Sequence, residues 1–455
     1  MKITSKSLRQ ECKRILVLAM PIIVAQFAQT ANGFVDTVMA GRVGPDDLAA
    51  VAVGAAVWVP VFLFLVGVMQ GLTPFVSQYR GQKDHSAIGI VVQQGLWLAL
   101  PLGWLGFLLM RHLDPLLNLM DVDPVIRPMI VGYLKGLSWG FPAITLFLAL
   151  RALTEGMSYT KPVMVISLIG LAVNIPVNYV LIYGKMGFEP MGGVGCGWAT
   201  SVVMWLMLVL MVLYSIVFDQ KQGTGVFHKF VGPHLPELGA VIRLGLPIGL
   251  SIFIEVSLFC VIALFIAGIG AQVVASHQIA LNAASMTFMI PLSLSLALTV
   301  RVGTNLGKGD VAGVRLSIFS GLAIILVIAL FNSSLMTLFR SQIAMIYTDD
   351  LVVIDMASGL LLFAALFQIS DCLQVSANGV LRGMKDTTWP MLMTVLAYWC
   401  LGLPIGYCLG LTDWILPAMG ARGFWVGLVA GLTAAAIMLC WRVIWRLKRT
   451  LPMPA

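Results

Sequence analysis

The chain has 455 residues, of which 59% are hydrophobic and 11% charged, and its mean hydropathy is +0.96. That balance excludes a soluble globular domain and implies a polytopic membrane protein. The formal net charge of +8 does not imply nucleic acid, because Lys and Arg fall between the apolar runs and form no patch or stripe; they read as a topology signal.

Hydropathy predicts twelve spans, near residues 15–40, 49–72, 88–110, 128–150, 163–183, 197–218, 241–267, 274–299, 315–338, 354–380, 390–410 and 423–445. Each is long enough to cross a bilayer. Each is expected to be a helix, since a helix satisfies its own backbone in lipid. Pro21, Pro60, Pro142, Pro176, Pro247, Pro291 and Pro404 predict kinks or local breaks. The 45 glycines suit close helix packing. The basic N-terminus runs directly into a full-length span, so no cleaved signal is expected. The seven cysteines form no CxxC pair and mostly sit in apolar spans, so they read as packing residues.

The first span, ILVLAMPIIVAQFAQTANGFVDTVMA from Ile15 to Ala40, carries one carboxylate, Asp36, near its far end. A carboxylate at membrane depth is costly and by default faces protein or water on a pathway. Its plainer role would be to cap a helix end at the interface. Two further acids, Glu255 and Asp371, lie deeper in spans seven and ten, and Lys135 is the one basic residue read inside a span. Three acids with so little basic company argue against capping alone.

With both termini placed inside, 21 Lys and Arg fall inside and 7 outside, which puts the termini in the cytoplasm. The outer loops carry Asp46, Asp47, Asp114, Asp121, Asp123, Asp349 and Asp350, read as solvated loop ends rather than metal ligands. The longest connector, Asp219–Gly239, is polar and rich in Gly and Pro. It divides the chain into an amino-terminal six-helix lobe at 1–218, a cytoplasmic linker at 219–239 and a carboxyl-terminal six-helix lobe at 240–455.

The halves repeat. At an offset of 226, Pro21 meets Pro247, Phe27 meets Phe253, Thr73 meets Thr299, Gly81 meets Gly307 and Asp84 meets Asp310. At 228, Pro162 meets Pro390, Pro176 meets Pro404, Tyr179 meets Tyr407 and Gly195 meets Gly423. An even number of spans per half gives both halves one orientation. That predicts a pseudo-two-fold axis along the membrane normal with a cavity between the halves, an organisation typical of transporters. The acids do not follow the repeat: Asp36 meets Ile262 and Glu255 meets Gln29.

The chain resembles the multidrug and toxic compound extrusion (MATE) family, in its NorM branch, over essentially its whole length. The resemblance rests on MPIIVAQFAQTANGFVDTVMAGRVG, GLTPFVSQYRGQKD and LRALTEGMSYTKP in the first half. In the second half it rests on LGLPIGLSIFIEVSLF, LTVRVGTNLGKGD and QISDCLQVSANGVLRGMKDTTWP. It implies a V-shaped all-α membrane protein of twelve helices in two lobes. It also implies a monomeric antiporter of the bacterial inner membrane that exports small cationic amphiphilic compounds by alternating access, driven by entering Na⁺ or H⁺, with no other cofactor. The family's amino-lobe cation site maps onto Asp36, Asn174, Asn178 and Thr200. Some relatives have Asp where this chain has Asn178, a departure that leaves the number of cations at this site open. The carboxyl-lobe site maps onto Glu255 and Asp371, with Phe259 as an aromatic neighbour and Na⁺ as a conceivable metal.

The residues themselves allow these roles. Asn174 and Asn178 are four apart and share one helix face, where two amide oxygens suit a hard cation or a helix–helix hydrogen bond. Glu255 and Phe259 are also four apart, so the ring can offer its face to a cation or simply pack. Two rivals are weaker. A flippase for a lipid-linked precursor would want basic residues around its anionic substrate. A membrane enzyme would want a DDxxD cluster or a deep His, and the one His read within a span, His277, lies near its outer end.

Overall fold

The computed structural model describes residues 5–119, 123–414 and 416–450; Lys2 and Asp121, both used in the charge reading, lie outside the described residues. Among the described residues all regular structure is helical. Among the described residues, twelve helices are long and apolar enough to cross a membrane. They are α1 Lys6–Gly41, α2 Pro45–Gln82, α3 His85–Arg111, α4 Arg127–Gly156, α5 Lys161–Tyr183, α6 Gly193–Gln222, α7 Leu235–Ala267, α8 Ala271–Gly307, α9 Val311–Leu338, α10 Leu351–Gly383, α11 Thr388–Leu411 and α12 Ala421–Arg449. Each expected span falls within one of them. The helices overrun the apolar limits because hydropathy marks only the hydrocarbon section, while the polar turns beyond it remain helical.

The prolines act in two ways. Pro21, Pro60, Pro176, Pro247 and Pro291 lie inside continuous helices. Pro142 and Pro404 instead stand in the first turn of a new segment, where a missing N–H costs nothing. Pro142 follows the break at Trp139 in α4, and Pro404 follows a π-helical turn at Leu396–Gly402 in α11.

Several of the repeated residues now have a physical cause. Asp84 caps α3 by accepting from the Ala87 N–H at 3.0 Å, and Asp310 caps α9 by accepting from Gly313 N–H at 2.8 Å. Their backbones match, at φ −91°, ψ 83° and φ −84°, ψ 84°. The residue before each, Lys83 and Gly309, is left-handed. The same device therefore turns the chain between the second and third helices of each half.

The chain forms two compact units, Met20–Gly249 and Leu250–Ala455 joined by Met1–Ala19. These limits differ from the boundary expected at the linker. Ile15, Leu18 and Ala19 pack with Leu294, Leu298 and Ile318, so the first turns of α1 belong to the carboxyl unit. Val241 lies in the apolar core built by α2–α6 with Ala25 and Ala40 of α1, so the first turns of α7 belong to the amino unit. Composition marks where the chain is polar, whereas apolar contact decides which unit a helix end joins.

The linker is also more ordered in its contacts than a polar, glycine-rich connector suggests. The Asp219 carboxylate is fully buried and accepts from the N–H groups of Val226 (3.2 Å) and Phe227 (3.1 Å), from His228 Nδ1 (3.0 Å) and from the Thr224 hydroxyl. From α3, Gln93 donates to the carbonyls of Val226 (2.7 Å) and Lys229 (2.5 Å) and accepts from Val231 N–H (2.7 Å). Gln94 and Trp97, each within one turn of Gln93, bind Gly232, His234 and Val231. The connector is thus docked on the amino unit.

Candidate functional site

Asp36 projects from the last turns of α1 and is 6% exposed. Its Oδ1 accepts from Asn178 Nδ2 at 2.6 Å and from Asn174 Nδ2 at 3.4 Å, both on α5. Its Oδ2 accepts from the Thr200 hydroxyl at 3.1 Å, on α6. All four residues expected at the amino-lobe site are therefore brought together, with Asn174 and Asn178 fully buried and Thr200 half-buried. The i, i+4 spacing aligns the two amides, and Asn178 Nδ2 also donates to Asn174 Oδ1 at 3.0 Å. Pro176 between them removes one backbone N–H from the α5 ladder. Asn178 Oδ1 is buried without a hydrogen-bond partner. An orphaned buried oxygen is costly unless something else satisfies it.

The Asp36 neighbourhood includes residues that sequence reasoning did not single out. Cys196 donates its S–H toward the Asp36 carbonyl at 3.7 Å. Tyr133, buried within α4, lies in electrostatic range of Asp36, and its hydroxyl accepts from Trp58 Nε1 at 3.0 Å. A side chain on Gly197 of α6 would collide with the Tyr133 carbonyl, so glycine there lets α4 and α6 close around the site.

The carboxyl unit holds the second group. Asp371 on α10 is 2% exposed, and Glu255 on α7 is half-buried and within electrostatic range of it. Asp371 Oδ1 is buried without a hydrogen-bond partner. One turn beyond Asp371, Gln374 accepts from the Tyr398 hydroxyl at 2.6 Å. Tyr398 sits in the π-helical turn of α11 and lies in electrostatic range of both carboxylates. π-Helical turns recur at functional sites because the extra residue re-aims a side chain. Phe259 packs edge-on against Phe367, with centroids 6.2 Å apart, and Phe367 packs edge-on against Trp425 at 6.0 Å. The ring expected to flank a cation is thus the first member of an aromatic stack.

One reading of charge needs correction. Lys135 is not the one basic residue within a span, since Arg151, Arg301 and Arg382 all lie in the spanning helices. Arg151 pairs with Glu155 at 2.7 Å, and Arg301 binds both carboxylate oxygens of Glu11 at 2.8 and 2.7 Å. Arg382 lies in electrostatic range of Glu255. The apolar limit of span ten stopped short of Arg382, which placed it in a loop. Of the acidic doublets, Asp47 accepts from the Gly193 N–H at 2.6 Å, and Asp350 caps α10 through Val352 N–H at 2.9 Å. His277 accepts from Trp425 Nε1 at 3.1 Å inside the apolar core.

Twelve spanning helices in repeated halves, with buried carboxylate sites in both units, define a polytopic protein of the transporter type. The family model described as MatE matches residues 21–180 and again 247–408. The two starts lie 226 apart and the two ends 228 apart, the same offsets at which the halves repeat. The chain is 49% identical to "Multidrug resistance protein PmpM" of Pseudomonas aeruginosa, over 96% of this chain and 92% of the relative. It is 45% identical to "Multidrug resistance protein NorM" of Photobacterium profundum, over 96% of each. Among solved structures, the outward-facing conformation of a multidrug resistance MATE family transporter of the MOP superfamily superimposes with a TM-score of 0.89 at 20% identity, covering 100% of both chains. The chain belongs to the MATE family and has its fold of two six-helix lobes.

Proposed function

We propose that the protein is a multidrug efflux antiporter of the bacterial inner membrane, with both termini cytoplasmic. It exports cationic amphiphilic compounds by alternating access, and Na⁺ or H⁺ entering the cell drives the cycle. The efflux reading rests on family membership and on relatives named as multidrug resistance proteins. The coupling reading rests on one observation: Asp36 is buried among Asn174, Asn178 and Thr200, beside the unpartnered Asn178 oxygen.

A single buried carboxylate held only by neutral donors is poised to take up a cation, because nothing else there balances its charge. A proton would add to a carboxylate oxygen. Na⁺ would draw on the Asp36 carboxylate, the orphaned Asn178 oxygen and the Thr200 hydroxyl, all hard oxygen donors. Either ion changes what α5 and α6 hold, and so gives the two states of a cycle different packing. Glu255 and Asp371 form the second coupling group, where two carboxylates in low dielectric need a counter-ion or a proton. A lipid-linked precursor with anionic phosphates would meet carboxylates at both sites, which weighs against a flippase.

The test is efflux of a fluorescent cation from membrane vesicles with a Na⁺ gradient and a pH gradient imposed separately. Efflux driven by one gradient and lost in Asp36→Asn supports the reading. Efflux indifferent to both gradients, or product formation without a gradient, would overturn it.

A further inference from the structure

The carboxyl unit ends in a cluster that transport leaves unexplained. Over eight residues at the end of α12 stand four cations, Arg442, Arg446, Lys448 and Arg449. One carboxylate, Asp386 in the α10–α11 turn, is set against them, with Arg442 Nε and Arg446 Nε each 2.9 Å from its Oδ2. The arginines are not loosely solvated. Arg442 is 9% exposed, and its guanidinium lies over the Trp445 ring at 4.3 Å and near the Trp389 ring at 5.2 Å. Arg449 also lies over Trp445, at 4.5 Å.

Such a cluster exceeds what topology requires, because mobile surface lysines would set orientation equally well. Nor does the repeat demand it. At the matching turn of the amino unit Arg80 donates to Ser158, and the nearby α6 face carries Tyr214 and Phe218 stacked at 5.8 Å. The turns themselves are equivalent, since Ser158 and Lys385 are both left-handed, at φ 61° and 55°.

We propose that Lys448 and Arg449, at the exposed end of a cluster in which Asp386 holds Arg442 and Arg446, bind the phosphate headgroup of an anionic phospholipid in the leaflet on the side of the termini. Charge is the first argument: four cations against one carboxylate leave a local excess of three, matched to an anionic surface. Geometry supplies the second. Ile437, Trp441, Ile444 and Lys448 follow at spacings of four, three and four, so they share one face of α12. The first three are exposed at 65%, 59% and 52%. An acyl chain would lie along that apolar strip while its phosphate meets the cations at the end, whereas a free phosphate would use the cations alone.

The test compares retention of phosphatidylglycerol and phosphatidylcholine of identical chains by the purified full-length protein, using native mass spectrometry and lipid-dependent melting. The expected preference for phosphatidylglycerol is roughly tenfold or more. The exposed double variant Lys448→Gln/Arg449→Gln leaves the Asp386 pairs intact and should lose most of that preference. The charge-retaining Lys448→Arg/Arg449→Lys should keep it. Lys221→Gln/Lys229→Gln removes the same charge elsewhere on the same side and should also keep it. Equal retention of the two lipids by the unmodified protein would overturn the site, as would equal losses in both glutamine double variants. Complete displacement of phosphatidylglycerol by millimolar inorganic phosphate would overturn the lipid assignment.

Discussion

The amino unit holds one carboxylate among neutral partners, whereas the carboxyl unit holds two carboxylates with an arginine in range. Asp36 is satisfied by two amides and a hydroxyl from two neighbouring helices. Glu255 lies in electrostatic range of Asp371, and Arg382 lies in range of Glu255. The fold repeats but the chemistry does not: the residue opposite Asp36 in the repeat is the buried core residue Ile262. A duplicated scaffold therefore supplies two equivalent places for helices to close, and each half has filled them differently. On the proposed reading, a cation entering the amino site would change its charge by a whole unit. In the carboxyl unit the same event would be shared between Glu255 and Asp371, with Arg382 in range of Glu255.

The comparison breaks most sharply at Asp36. Asp36→Asn keeps the shape and deletes the charge, so efflux is expected to fall about 10- to 100-fold, the worth of charge-assisted hydrogen bonds of about 1.5–3 kcal/mol. Membrane abundance should be unchanged. Dye efflux from vesicles at matched protein level measures this, and near-normal efflux would reduce Asp36 to a helix cap.

In the carboxyl unit, Glu255→Gln and Asp371→Asn should each uncouple efflux from the ion gradient. If they act on one shared charge, the double variant should be little worse than either single, departing from additivity by more than about 0.5 kcal/mol. Strictly additive losses in the logarithm of the coupled rate would make them independent packing residues. Arg382→Gln should cost several-fold less than either, and Arg382→Lys less again, since the role is charge at a distance. An Arg382→Gln loss as deep as that of Asp36→Asn would mean the arginine is itself part of the coupling group.

The fold was largely legible in the sequence because hydropathy is a property of single residues and every spanning helix must pass through it. The Asp36 site was legible through the i, i+4 amides and the family pattern. What stayed hidden was anything decided by contact between distant segments. Arg382 counts as a loop cation until α10 is seen to run on to Gly383. Tyr398 reads as one more aromatic until the π-helical turn sets it against Gln374. The first turns of α1 and α7 join units that no composition window separates.

The smallest expected effect concerns the connector, and it tests whether the units differ in more than their charges. Gln93 makes hydrogen bonds to Gly225, Val226, Lys229 and Val231, and backbone packing beneath is so close that a side chain on Gly89 would collide with the Thr224 carbonyl. Gln93→Leu keeps the bulk and removes every one of those bonds, leaving the Val231 N–H without its partner. Net stability should fall by about 2 kcal/mol, since each bond is worth roughly 1 kcal/mol and part is regained from water. The loss should register in the amino unit alone, as faster amide exchange in α3 and faster tryptic cleavage after Lys229. Efflux should stay within about twofold, because weakening an exposed connector by that amount leaves both carboxylate sites untouched. A slack tether predicts no change in exchange or cleavage. A connector whose docking drives the cycle predicts an efflux loss comparable to Asp36→Asn. Only a docked but passive connector gives the first change without the second.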